Sequence, residues 1–259
     1  LWKGGPNTSK GAEYYWDVNK QSAGVLKEIR QAFLDEDKEK AAQLTRNNFN
    51  GLAAYEEKDE TPFRFGSFTT MGELYVETGL NELRMSNYRR ILSLDSAMVV
   101  VQFDKDGVQY QRKYFISYPD SVMVMKFTAN QSGKQNLILS YCPNSEAKSN
   151  LRADGKDGLV YTGVLDNNGM KFAFRIKAIH KGGTLEAEND RLIVKGADEV
   201  VFLLTADTDY KMNFNPDFKD PKTYVGNDPE QTTRIMMDQA VQKGYDELYR
   251  NHEADHTAL

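Results

Sequence analysis

Between Pro62 and Ala206 apolar and polar side chains alternate with a period of two almost without interruption. Successive strand side chains point to opposite faces, so this pattern fits half-buried β-strands and no helix. The alternation divides into residues 63–68, 73–77, 88–94, 97–103, 108–117, 121–128 and 135–141, then 159–164, 170–180, 184–188, 191–194 and 199–206. Turn chemistry separates them: Asp104-Lys105-Asp106-Gly107, Asp166-Asn167-Asn168-Gly169, Gly182-Gly183 and Asn189-Asp190. Closely spaced strands with no helical crossover predict a mainly β fold, a large antiparallel β-sandwich. Within residues 122–127 both faces are apolar, so this strand is expected to be covered on both sides.

Helices flank the strands. Residues 1–20 lack periodicity and are expected to be loop, whereas Val25, Leu26, Ile29, Phe33 and Leu34 share one helical face behind Ser22 as N-cap. A second helix is expected over residues 37–47, with Ala41 and Leu44 inward and Asn50-Gly51 ending it. After a loop over residues 207–228, Asp228-Pro229-Glu230-Gln231 combines an N-cap, a first-turn proline and a capping-box glutamine. The helix it opens is expected to reach about His252, roughly 36 Å at 1.5 Å per residue. Its stripe Met237, Val241, Tyr245 and Leu248 needs a surface to cover it. The organisation expected is an N-terminal loop and helical segment (1–61) belonging to the sandwich, the β-sandwich (62–227) and a C-terminal linker helix (228–259). Leu1 to Pro6 carry neither an initiator Met nor a signal-peptide pattern, and the other end lacks a terminating signal. Both ends are expected to be cut from something longer.

Chemistry-bearing residues are few. The net charge is -5 with no stripe of Lys and Arg, which argues against a nucleic-acid partner. No apolar run is long enough for a membrane span. The single cysteine, Cys142, rules out an intramolecular disulfide and is expected to be a small packed residue. No G-x-S-x-G elbow occurs, and His180 ends a β pattern as a surface residue. His252 and His256 spell H-E-x-x-H with Glu253, but no third ligand follows, so the expectation is a helix end whose histidines meet the final carbonyls. Gly182-Gly183 and Gly4-Gly5-Pro6 lack phosphate-loop spacing, and Asp104–Gly107 and Asp154–Gly158 are turns rather than calcium loops. With 38 acidic residues, carboxylate pairs arise by chance and identify no glycosidase acid or base. Among the N-terminal aromatics, Trp2, Tyr15 and Trp16 are the candidates for stacking on a sugar ring, with sealing of a sandwich edge as the alternative. No catalytic residue, metal ligand or cofactor is assigned.

Six stretches, in order, resemble one group. Leu1-Trp2-Lys3-Gly4-Gly5-Pro6 looks like the tail of "N-E-D-T-L-W-S-G-G-P", and Leu26 to Leu34 like "L-x-x-I-R-x-L-L". Tyr88 to Ala97 is similar to "Y-R-R-x-L-D-L-x-x-A", and Val108 to Asp120 to "G-V-x-Y-x-R-E-x-F-x-S-x-P-D". Gly196-Ala197-Asp198 and the stretch from His252 to Leu259 match "G-A-D-x" and "H-x-x-D-Y-x-x-L", with His256 standing where Tyr is usual. Together they resemble the N-terminal domain of family 95 glycoside hydrolases, the α-L-fucosidase and α-L-galactosidase family. The resemblance implies an extracytoplasmic, bacterial exo-glycosidase. In that family an (α/α)₆ barrel downstream performs inverting hydrolysis, so no catalytic residue falls within this chain. The partners implied are its own C-terminal catalytic domain and fucosylated or related glycans. A stand-alone carbohydrate-binding or adhesion module is the rival expectation.

Overall fold

The computed structural model describes residues 2–3, 24–48, 67–81, 83–143, 147–165, 169–188, 190–215, 217, 220 and 222–259. The chain divides into two units, Leu1–Thr69 with Phe218–Asp220, and Thr70–Asp217 with Pro221–Leu259. In the first, β1 (Trp2–Lys3) pairs antiparallel with β2 (Ser67–Phe68). Helix α1 (Leu26–Leu34) packs on α2 (Lys38–Asn48) through buried Ile29, Ala32 and Ala41. Ala41 turns inward as expected, but the α1 face rotates. Phe33 and Leu34, which share the apolar face read from the sequence, are exposed, and Ala32 is buried beside Ile29. Ser22 and Asn50-Gly51 lie outside the described residues.

The second unit is a β-sandwich. Its strands are β3 (Gly72–Glu77), β4 (Met85–Ser93), β5 (Met98–Lys105), β6 (Val108–Ser117), β7 (Val122–Ala129), β8 (Gln135–Pro143), β9 (Ala147–Ala153), β10 (Gly158–Leu165), β11 (Lys171–Lys181), β12 (Thr184–Ala187), β13 (Arg191–Ala197) and β14 (Glu199–Thr208). Eight strands form one sheet in the order β4-β5-β6-β7-β14-β11-β10-β9, and four form the other in the order β12-β13-β8-β3. The recorded pairings are antiparallel.

Turn residues set the register. Between β5 and β6 only Asp106 and Gly107 are unpaired, at φ 50° and 76°. Positive φ at both positions is the mirror-image turn whose twist suits a two-residue hairpin. Gly182 and Gly183, at φ 67° and 66°, carry the chain from β11 in the large sheet to β12 in the small one. The β4 strand begins three residues before the expected start, because a bulge after Ser86, with Asn87 at φ 52°, breaks the alternation. The edge strand β9 has no counterpart in the expected set. Its sequence AKSNLRA is polar along most of its length and shows no hydrophobic period.

The large sheet is buried on both sides at its centre. Phe127, Phe202, Phe172, Phe174 and Ile176 face the small sheet, where Leu139, Tyr141, Leu192 and Val194 meet them. On the opposite face Phe115, Val122, Val124, Val201 and Leu203 pack beneath α3 (Pro229–Thr257). The double coverage expected for residues 122–127 follows from this.

Helix α3 starts where expected: Asp228 accepts a hydrogen bond from the Glu230 amide at 3.0 Å, and Pro229 opens the first turn. It differs from the expected straight rod. It runs five residues further and is interrupted at Gly244, at φ 71° and ψ 172°. The stripe finds its cover on the large sheet, with Met237 and Leu248 buried and Val241 and Tyr245 packed beside them. Leu248 is fully buried, so Leu248→Ala is expected to lower unfolding free energy by about 2–5 kcal/mol. Urea denaturation monitored by circular dichroism measures this; a loss below about 0.5 kcal/mol would mean that α3 is not part of the cooperative core.

Candidate functional site

Polar and aromatic groups converge where the second half of α3 crosses the turns joining β4 to β5 and β6 to β7. The β6–β7 turn is tight, closed by Ser121 N donating to Tyr118 O at 3.1 Å. It directs the Asp120 side chain, 2% exposed, at the helix. Ser117 Oγ donates to Asp120 at 2.6 Å, Lys243 Nζ at 2.6 Å and Asn251 Nδ2 at 3.1 Å. Burial alone would raise the Asp120 carboxyl, but these three donors outweigh it and hold the group below its ordinary value.

Lys243 and Asn251 lie on opposite sides of Gly244, so one carboxylate fastens both halves of the interrupted helix. With φ 71° and ψ 172°, Gly244 occupies backbone space closed to residues with a Cβ. Nothing lies within 4 Å of a Cβ built there. The requirement for glycine is therefore conformational.

His252 is buried and stacks on Phe115 with centroids 4.9 Å apart. Its Nε2 lies 3.0 Å from Ser96 O and 3.2 Å from Ala97 O, and His256 Nε2 lies 2.6 Å from Leu94 O. Carbonyl oxygens only accept, so each Nε2 carries the proton. The carbonyls belong to the β4–β5 turn. This corrects the expectation that the histidines meet the helix's own final carbonyls: α3 lies across the sheet end, and its i, i+4 face opposes that turn. One nitrogen of each imidazole in the H-E-x-x-H stretch is thereby engaged by a carbonyl. Among the described residues no group of three or more His, Cys, Asp or Glu could hold a metal ion.

Tyr245 completes the contact. Its ring meets Phe115 edge-on at 5.9 Å, and Lys126 Nζ sits 4.1 Å above it. Burial, with Tyr249 and Asp246 nearby, pushes the Tyr245 hydroxyl up to about 12. Lys126 also bonds Glu199 at 2.8 Å, and Lys181 reaches the same carboxylate at 3.0 Å. Burial would raise Glu199, but those two hydrogen bonds hold it low. The ionised groups here are matched to donors, and the imidazoles are matched to carbonyls. Such an arrangement fastens a helix; it presents no general base beside a nucleophile.

Of the sugar-stacking candidates, Trp2 sits in β1 opposite Phe68, while Tyr15 and Trp16 lie outside the described residues. Cys142 is exposed rather than packed, because the alternation of β8 turns it away from the core that Tyr141 enters. His180, at the end of β11, is half-buried, with Nδ1 2.7 Å from Gly182 O. Sequence reasoning missed Lys243, Gly244 and Asn251. A glycine within a helical pattern was the available signal, since it marks a place where a helix breaks.

Three of the stretches that suggested a family meet at this junction: the one containing Leu94 to Ala97, the one containing Phe115 and Asp120, and the one containing His252. Comparison with known proteins agrees at the level of class. The chain belongs to the family described as "Glycosyl hydrolase family 65, N-terminal domain", whose model matches residues 1–213. It is 26% identical over 273 aligned positions to "Probable alpha-fucosidase A" of Aspergillus niger, covering 100% of this chain and 31% of that protein. It is 25% identical over 218 positions to "Alpha-L-fucosidase 2" of Arabidopsis thaliana, covering 74% of this chain and 25% of that protein. The chain therefore spans about a third or less of either relative.

Gly244→Ala is expected to cost about 1–3 kcal/mol through backbone strain alone. Thermal unfolding checks this, and an unchanged Tm would contradict the assigned backbone. For Asp120 the pH dependence has a definite sign. Because its folded pKa is depressed, its stabilisation is present above the ordinary carboxylate value of about 3.9 and is lost as pH falls through the folded value. Asp120→Asn should cost about 2 kcal/mol at pH 7, with the gap from wild type closing below roughly pH 4. Urea titrations between these pH values test it; a gap independent of pH would remove the charge from the account.

Proposed function

We propose that this chain is the N-terminal β-sandwich domain of a glycoside hydrolase of the family 95, α-L-fucosidase type. In this reading the domain is non-catalytic and supports a catalytic domain that follows it. The observation that carries the proposal is the α3 junction, where buried acid and imidazole groups are committed to holding the helix. Two further findings support it: both relatives bear α-fucosidase names and are three to four times longer than the region matched. The ordered motifs favour family 95 over the family 65 description of the matching model. The partners in this reading are the protein's own catalytic domain and, for the whole protein, fucosylated glycans. Its location is extracytoplasmic, which rests on the family resemblance.

An aryl α-L-fucoside distinguishes the outcomes. The full-length protein is expected to release the aryl group, and the 259-residue chain alone is expected to release none. Turnover by the chain alone, abolished by a substitution within it, would overturn the non-catalytic role. Turnover of α-glucosides but not α-L-fucosides by the full-length protein would overturn the family 95 reading.

A further inference from the structure

The end of the large sheet that holds α3 also carries an apolar rim. Leu92, Leu94, Ile116 and Tyr118 are 63%, 76%, 67% and 82% exposed. Leu92 stands opposite Val99, which stands opposite Tyr114, while Ile116 stands opposite Met123. These positions lie on the inner side of the large sheet, near its β4 edge. Leu94 and Tyr118 belong to the two turns at the same end. Several large apolar side chains gathered at one place on a surface mark an interaction site more often than scattered ones do.

The position of the rim specifies its occupant. His256 holds the Leu94 carbonyl, and Lys243 and Asn251 hold Asp120 two residues beyond Tyr118. The final turn of α3 is thus fixed beside the rim, with helix ending at Thr257. The family model is an N-terminal domain, and the relatives extend well beyond the matched length. We propose that this rim is the docking face for the part of the protein that follows Leu259. The inference rests on the reading of this chain as an N-terminal domain and adds the surface and its partner. An element arriving directly from α3 needs no long linker to reach Leu94 and Tyr118. Short tethering raises its effective concentration at that face.

The test uses the full-length protein with Cys142→Ser, since Cys142 is exposed and is the chain's single cysteine. Leu94→Cys, Tyr118→Cys and Phe214→Cys are introduced one at a time; Phe214 is 94% exposed and outside the rim. Labelling rates of the native proteins with a maleimide are normalised to those of the denatured proteins. The rim positions should react at least about 10-fold more slowly than Phe214→Cys, as expected for a covered surface. Cleavage at a protease site inserted after Leu259, followed by removal of the downstream part, should restore fast labelling. Equal rates at rim and control positions would overturn the proposal. So would protection that survives removal of the downstream part, which would assign the cover to another segment, or protection lost on dilution, which would assign it to a second copy. Because labelling does not depend on substrate, a protected rim in a protein without fucosidase activity would refute the activity and leave the docking face standing.

Discussion

The second unit depends on water being excluded from the outer face of β7 and β14. Those strands are already dry on the side facing the small sheet, so their outer residues Val122, Val124, Val201 and Leu203 need a second cover. Helix α3 supplies it through Met237, Ala240 and Leu248. A straight helix of its 29 residues would be about 43 Å long. Eight strands at 4.8 Å spacing extend only about 34 Å from first to last. The interruption at Gly244 allows the helix to change direction and keep its second half on the sheet end.

Apolar burial and the polar junction have separable roles. Each buried aliphatic side chain contributes about 1.5–3 kcal/mol, and several of them meet beneath α3. The hydrogen bonds at Asp120 and the histidines contribute about 0.5–3 kcal/mol each. Burial therefore supplies most of the adhesion. It is non-directional, however, and would tolerate sliding of the helix along the sheet. The bonds to Asp120, Ser96, Ala97 and Leu94 have defined geometry and fix both the register and the end point of α3.

The layered architecture was legible because alternation, turn glycines and the two-sided strand over residues 122–127 all indicate a sandwich. The helix cap at Asp228 and the stripe beneath α3 were legible for the same reason: each is local or periodic. The junction was not. Asp120 lies 123 residues from Lys243 and 131 from Asn251, and no local pattern encodes which turn a carboxylate will address. The histidines were read as meeting carbonyls, but the wrong ones: i, i+4 spacing marks a shared helix face, and only the opposing surface, here the β4–β5 turn, shows what that face meets. Cys142 was misassigned because proximity to an apolar run does not settle which face of a strand a residue occupies.

If α3 belongs to the sandwich, its backbone should open only when the sandwich does. Native-state amide hydrogen exchange across Pro229–Thr257 measures this most directly. The structure predicts that amides on both sides of Gly244 exchange with the same opening free energy as those of β7 and β14. Exchange of the α3 amides by a separate, lower-energy opening, with β7 and β14 still protected, would contradict it.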